Sequence, residues 1–291
     1  MSLADLPAAL VSVDWLANAL QTDSEDSNAS ILVLDASWHL PTAKRNAEAE
    51  YLLERIPGAG FFDFDTRICD RQSPLPHMMP DPELFTTELQ GLGLNADSRV
   101  ILYDSIGVFS SPRAWWMLQA MGHRHSAVLD GGLPAWKAAG LALAAGPPQP
   151  IMRRGNFTAH YRQEMISDWT TVLEAINAIT THIIDARSAD RFHARVPEPR
   201  PGLRGGHMPG AKNLPFEQLL ANGRLRTTTQ LREILQELAP LDSRLIATCG
   251  SGVTACIVAF AAHLAGYSDI SVYDGAWAEW GAENSLPVLV D

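Results

Sequence analysis

The chain contains itself twice. Asp97-Ser98-Arg99-Val100-Ile101-Leu102-Tyr103-Asp104 returns about 145 residues later as Asp242-Ser243-Arg244-Leu245-Ile246-Ala247-Thr248-Cys249. Val128-Leu129-Asp130-Gly131-Gly132 with Trp136 returns as Val272-Tyr273-Asp274-Gly275-Ala276 with Trp280. Leu34-Asp35-Ala36 is matched by Ile184-Asp185-Ala186, and Ile56-Pro57-Gly58-Ala59 by Met208-Pro209-Gly210-Ala211. The matches keep their order while their spacing drifts, so one domain has been duplicated with insertions between its elements. A solenoid is excluded, because its period runs about 20–50 residues. Two copies also suit a chain of 291 residues, which exceeds the usual single domain of roughly 100–200.

Each copy alternates short apolar runs with helical spacing. In the second, a strand is expected to end at Asp185, another over residues 211–214, and a helix over 228–238 from the spacing of Leu231, Ile234, Leu235 and Leu238. A strand over residues 245–247, a helix over 255–265 and a strand over 270–273 follow. Continuous apolar strands are buried on both faces, so the fold class is α/β, each copy a mainly parallel sheet flanked by helices. Ala145-Gly146-Pro147-Pro148-Gln149-Pro150 cannot enter a sheet interior, because proline fixes φ and removes a donor. The expected organisation is therefore a first domain over residues 1–146, a linker over 147–165 and a second domain over 166–291.

A net charge of −11 argues against nucleic acid or an anionic membrane surface as partner. No apolar run reaches the roughly 18 residues of a membrane span, and the first residues lack a basic segment followed by an apolar core. A cytoplasmic protein is expected. Its three cysteines, Cys69, Cys249 and Cys256, form no CxxC and no zinc spacing, which leaves one reactive thiol as the favoured reading and no metal site.

That thiol is Cys249. It lies where an apolar strand turns through Gly250-Ser251-Gly252-Val253-Thr254 into a helix, at the carboxyl end of a parallel strand where α/β sheets bind ligands. Free amides and the helix dipole converge there, which favours a thiolate over the ordinary thiol of pKa about 8.5. Asp104 holds the matching position in the first copy, so chemistry is confined to the second. Cys256 reads as core and Cys69 as a bystander. Trp115, Trp116, Trp277 and Trp280 read as packing residues, His207 as ordering its loop, and the acidic stretch over residues 23–26 as a solvated loop. Cysteine phosphatases carry arginine six positions after the nucleophile; position 255 is alanine, which disfavours phosphoryl transfer.

The Cys249–Thr254 loop resembles that of the two-domain rhodanese family. So do Asp185-Ala186-Arg187, the run from Pro197-Glu198-Pro199-Arg200 to Gly205-Gly206-His207-Met208-Pro209-Gly210-Ala211, and Tyr273-Asp274-Gly275-Ala276-Trp277. The likeness covers nearly the whole chain and is nearest the branch of that family that uses 3-mercaptopyruvate. Thiosulfate-using members carry Arg and Lys where Gly250 and Ser251 stand, and a neutral loop suits a monocarboxylate thiol better than a compact dianion. The resemblance implies two tandem rhodanese-like domains and a sulfurtransferase that forms a Cys249 persulfide, releases pyruvate and passes sulfur to reduced thioredoxin, a small thiol or cyanide, with no cofactor. It further implies a substrate contact from Arg187 and a second from a loop arginine, Arg195 being favoured over Arg191 and Arg200. Amides of Gly250, Gly252, Val253 and Thr254 are expected to hold the persulfide, with the Thr254 hydroxyl donating to sulfur or capping the helix. Asp65, His77 and Ser251 are expected to act as a proton relay. The alternatives are a thiosulfate:cyanide sulfurtransferase and a non-enzymatic persulfide carrier.

Overall fold

A computed structural model describes residues 6–23, 31–150 and 153–291. The acidic stretch beyond Asp23 and linker residues 151 and 152 lie outside the described residues. Two compact units form. The first contains strands β1 (Leu10–Val11), β2 (Ile31–Asp35), β3 (Gly60–Phe61), β4 (Arg99–Tyr103) and β5 (Ser126–Leu129). Its helices are α1 (Val13–Asp23), α2 (Ala47–Leu53), α3 (Pro82–Gly91), α4 (Ser111–Ala120) and α5 (Gly132–Ala138). The second contains β6 (Ile166–Ser167), β7 (Thr181–Asp185), β8 (Lys212–Asn213), β9 (Arg244–Thr248) and β10 (Ile270–Tyr273). Helices α6 (Trp169–Ala175), α7 (Ala189–Phe192), α8 (Thr228–Gln236), α9 (Ala255–Ala265) and α10 (Ala276–Trp280) complete it.

The duplication is exact in topology. The first sheet runs β1-β5-β4-β2-β3 and the second β6-β10-β9-β7-β8, every pairing parallel. Registers match as well: Asp35 pairs with Tyr103 across β2 and β4, and Asp185 with Thr248 across β7 and β9. All five residues of β4 and four of the five in β9 are buried, as central parallel strands require. Helix α9 spans the predicted residues, and α8 is fixed at its start by a capping box between Thr227 and Gln230. The four tryptophans at 115, 116, 277 and 280 are all buried.

The units do not divide where composition alone placed the boundary. Residues 155–160 of the expected linker are fastened to the first unit, with Gly155 N–H donating to Gln90 O (2.9 Å), Phe157 N–H to Leu94 O (3.1 Å) and His160 N–H to Met121 O (2.9 Å). Gly155 is required there, since a Cβ would stand 1.8 Å from the Leu94 carbonyl oxygen. The first unit runs to Tyr161, and Gln72–Met79, from the first copy in sequence, belongs to the second unit.

Asp35, at the carboxyl end of β2, is 1% exposed and is pushed up to about 6 by burial, against the opposing hydrogen bonds from Ser37. The unfolded carboxyl takes its proton near 3.8, the ordinary value. The folded state therefore has its full advantage from this proton below about pH 4 and loses it as the pH rises through 6. Asp35→Asn is expected to raise stability at pH 8 by up to about 3 kcal/mol, with the difference vanishing below pH 4. Denaturant unfolding of both proteins across that range checks it.

Candidate active site

Cys249 follows the last residue of β9 and is 2% exposed. Its loop is held from α10, whose Trp277 and Ala278 amides donate to the carbonyls of Cys249 (2.9 Å) and Gly250 (3.0 Å). Gly252 turns the chain at φ +78°, a left-handed conformation natural to glycine. Val253 is buried. Thr254 occupies the N-cap of α9 with helical backbone angles, and its side chain makes no capping bond. The helix instead closes its first turn through Cys256 N–H to Val253 O (3.1 Å) and Ile257 N–H to Thr254 O (3.1 Å). Cys256 is fully buried, its thiol donating to Gly252 O (3.1 Å).

The first copy shows what such a loop does with an anion. Asp104, in the place of Cys249, accepts amides from Ile106 and Gly107 on one oxygen (both 3.0 Å) and from Phe109, Ser110 and Ser111 on the other (2.8, 3.0 and 2.9 Å). The Ser111 hydroxyl adds a sixth bond (2.7 Å). The second loop is one residue shorter, with Thr254 at the N-cap where the first copy has Ser110, so the corresponding amides are those of Ser251, Gly252, Val253, Thr254 and Ala255. Among the described residues no amide bonds the Cys249 sulfur itself. The reason is length: carboxylate oxygens lie one bond farther from the backbone than a cysteine Sγ.

Beside the loop lies a buried ion-pair network. Arg187 donates from Nε and Nη2 to Asp185 (2.7–3.1 Å), from Nη1 to Glu198 (2.9 Å) and from Nη2 to Gly206 O (2.9 Å), and its Cζ lies 4.1 Å from the Trp277 ring centroid. Burial works against its charge, but Asp185 and Glu198 overcome this and raise its pKa. The Arg187 side chain is wholly inaccessible, so it centres a structural network, where the sequence led us to expect a substrate contact. Arg195 is not at the loop either: it is exposed and 3.6 Å from Asp190. Arg191 does reach the loop. Glu198 holds it at 2.5 Å, and its Nη2 stands 2.8 Å from where a Cβ on Gly250 would be. Glycine at 250 and arginine at 191 thus occupy one space. Spacing in sequence did not separate Arg191 from its neighbours; the one signal for it was the four-residue step from Arg187, a single helical turn that carries it past the strand end to α7.

His77 comes from the 72–79 segment and is buried in the second unit. Its Nδ1 lies 3.2 Å from the backbone carbonyl of Ser251. A carbonyl only accepts, so Nδ1 is the donor in this contact. Two residues on, the Met79 amide donates to Asp274 (2.7 Å), fixing the segment. The structure thus brings His77 to the main chain of Ser251 rather than to its hydroxyl. Asp65 belongs to the first unit, where it is exposed and its amide donates to Asp63 (3.1 Å). His207 stacks on Phe192 at 3.9 Å and bonds its carbonyl, ordering the loop. Cys69 is buried, and burial with Asp63 and Asp65 pushes its thiol up.

A duplicated five-stranded parallel sheet with a cysteine loop at one strand end defines the class. The family model of the rhodanese-like domain matches residues 12–139 and 168–283, and the chain belongs to that family. Among its relatives is the 3-mercaptopyruvate sulfurtransferase of Escherichia coli K12, 43% identical over 280 residues that span 96% of each chain. The human 3-mercaptopyruvate sulfurtransferase is 40% identical over 284 residues, 96% of this chain and 94% of the human one. The crystal structure of SseA from Escherichia coli superposes with a TM-score of 0.81 at 40% identity, covering 93% of this chain and 99% of that one. Among the described residues no helix is long and apolar enough to cross a membrane.

Removing Arg187 leaves Asp185 without its cation and Glu198 with one partner fewer, both in the interior. Arg187→Ala is expected to cost about 3–5 kcal/mol of stability, lowering the unfolding temperature by about 10 °C. Thermal unfolding measures it, and an unchanged midpoint would contradict the structural role.

Proposed function

We propose that the chain is a sulfurtransferase that moves sulfur from 3-mercaptopyruvate through a Cys249 persulfide to a thiol or cyanide acceptor. The observation that carries the mechanism is the Asp104 ring. An aspartate oxygen and the outer sulfur of a cysteine persulfide stand at the same bond count from the backbone. The loop amides of Ser251, Gly252, Val253, Thr254 and Ala255 are therefore suited to the persulfide, one atom beyond the resting thiol. Relatives 40–43% identical over nearly the full chain, named for this activity, support the donor.

In the first half-reaction the Cys249 thiolate attacks the substrate sulfur. An S–S bond forms, the C–S bond breaks, and its electron pair leaves as the enolate of pyruvate, which takes up a proton. His77 Nε2 accepts the substrate thiol proton and returns it to the enolate carbon. Arg191 pairs with the substrate carboxylate while Glu198 holds it in place, and Arg187 in turn positions Glu198. No step is assigned to Asp65 or Arg195, and Ser251 acts through its amide and carbonyl. In the second half-reaction an acceptor thiolate, such as that of reduced thioredoxin, or cyanide attacks the outer sulfur and releases the Cys249 thiolate. A side chain at 250 would displace the Arg191 guanidinium, and the neutral Gly250-Ser251 pair adds no cation for a dianion, so thiosulfate is the poorer donor.

Pyruvate release from 3-mercaptopyruvate is expected to exceed sulfite release from thiosulfate, and Cys249→Ser to abolish both. Intact mass after donor treatment should show one added sulfur on the Cys249 peptide; an unmodified peptide in a protein that still turns over would refute the nucleophile. Arg191→Ala should raise the KM for 3-mercaptopyruvate about tenfold or more while leaving the unfolding temperature within a few degrees. Steady-state kinetics beside a melting curve separates this from the Arg187 effect.

A further inference from the structure

The two copies build the same corner at the end of their second strand. In the second unit the Arg187 amide donates to Asp185 Oδ1 (3.0 Å), and the Ala186 amide to Thr248 O (2.8 Å). In the first, the Ser37 amide donates to Asp35 Oδ1 (2.9 Å), and the Ala36 amide to Tyr103 O (2.8 Å). The α10 and α5 ends correspond too, with Trp277 N–H on Cys249 O (2.9 Å) and Leu133 N–H on Asp104 O (3.0 Å). Ser37 thus stands where Arg187 stands, and Leu133 where Trp277 stands. The carboxylate has been kept while the guanidinium it holds and the ring beneath have both become smaller.

A cavity of about 290 Å³ occupies this corner of the first unit, lined by Asp35, Ser37, Ser105 and Leu133 together with Arg45 and Glu50. Glu50 is already shared by Arg45 (2.7 and 2.8 Å) and His39 (2.9 Å). Glu54, also on the wall, holds Lys137 at 2.6 Å. Among the described residues no cation pairs with Asp35, and the buried Ser105 hydroxyl oxygen has no hydrogen-bond partner. The lining therefore offers an apolar floor and one buried carboxylate, which Ser37 and Tyr103 hydrogen-bond but no cation neutralises, with the Ser105 hydroxyl beneath the surface. We propose that this cavity binds the guanidino group of a small molecule, seated on Asp35 as the Arg187 guanidinium is seated on Asp185. A planar fork donates to the carboxylate and rests its face on Leu133; a compact ammonium matches one of these contacts only. Burial pushes the Asp35 carboxyl up to about 6, so a cation seated beside it stabilises the charged form.

The site is independent of sulfur transfer, and so is its test. Methylguanidine is titrated into the full chain by isothermal calorimetry at pH 7.5, with neutral N-methylurea as the shape control. Saturable binding of methylguanidine, a raised unfolding temperature in its presence and no binding of N-methylurea are expected. Asp35→Asn removes the charge, Ser37→Arg supplies an internal guanidinium, and Leu133→Trp refills the floor. Each should weaken methylguanidine at least tenfold while keeping the wild-type circular dichroism spectrum, and Ser37→Arg should raise the unfolding temperature without ligand. Absence of saturable binding to the wild type, or equal binding to the wild type and to all folded variants, would overturn the proposal.

Discussion

Everything at this site depends on amides that converge at one end of a parallel strand. A strand that turns into a helix leaves several N–H groups without helical partners, and the loop curls so that they meet at a point. In the first unit that point holds the Asp104 carboxylate, ringed by five amides and a hydroxyl. In the second the side chain is one atom shorter and ends in sulfur. In the proposed reaction, the main chain that closes a structural loop in one copy receives one more atom in the other, which is added and then removed.

Charge around the loop is divided by burial. Arg187 is inaccessible and bound on every side, so it cannot follow a ligand, while Arg191 remains partly exposed and reaches the loop. Glu198 links them, transmitting the rigidity of the buried pair to the accessible one. Breaking a buried ion pair costs more than the pair contributes when intact, which is why the network tolerates little change. Gly250 completes the arrangement by letting the Arg191 guanidinium lie against the loop, where a Cβ would stand 2.8 Å from its Nη2.

Much of this was legible in the sequence because duplication is a strong signal. Repeated segments predicted two sheets of the same topology, and the apolar run over residues 255–265 marked α9 to the residue. Cys249 stood out because its loop is made of small residues at a strand end. Other features were not legible. That residues 72–79 join the second unit is a tertiary choice, made by contacts such as Met79 to Asp274. Whether Arg187 faces substrate or Asp185 depends on a side-chain direction that spacing does not encode. Thr254 is a residue type that caps helices, yet it takes helical backbone angles and makes no capping bond.

The most direct test is to watch those amides while sulfur is added. In ¹⁵N-labelled protein, forming the persulfide with 3-mercaptopyruvate should move the amide proton resonances of Ser251, Gly252, Val253, Thr254 and Ala255 downfield together, and discharge by cyanide should restore them, with Ile106, Gly107 and Phe109 unmoved as internal controls. Persulfide formation that leaves the five second-copy amides where they began would contradict the account.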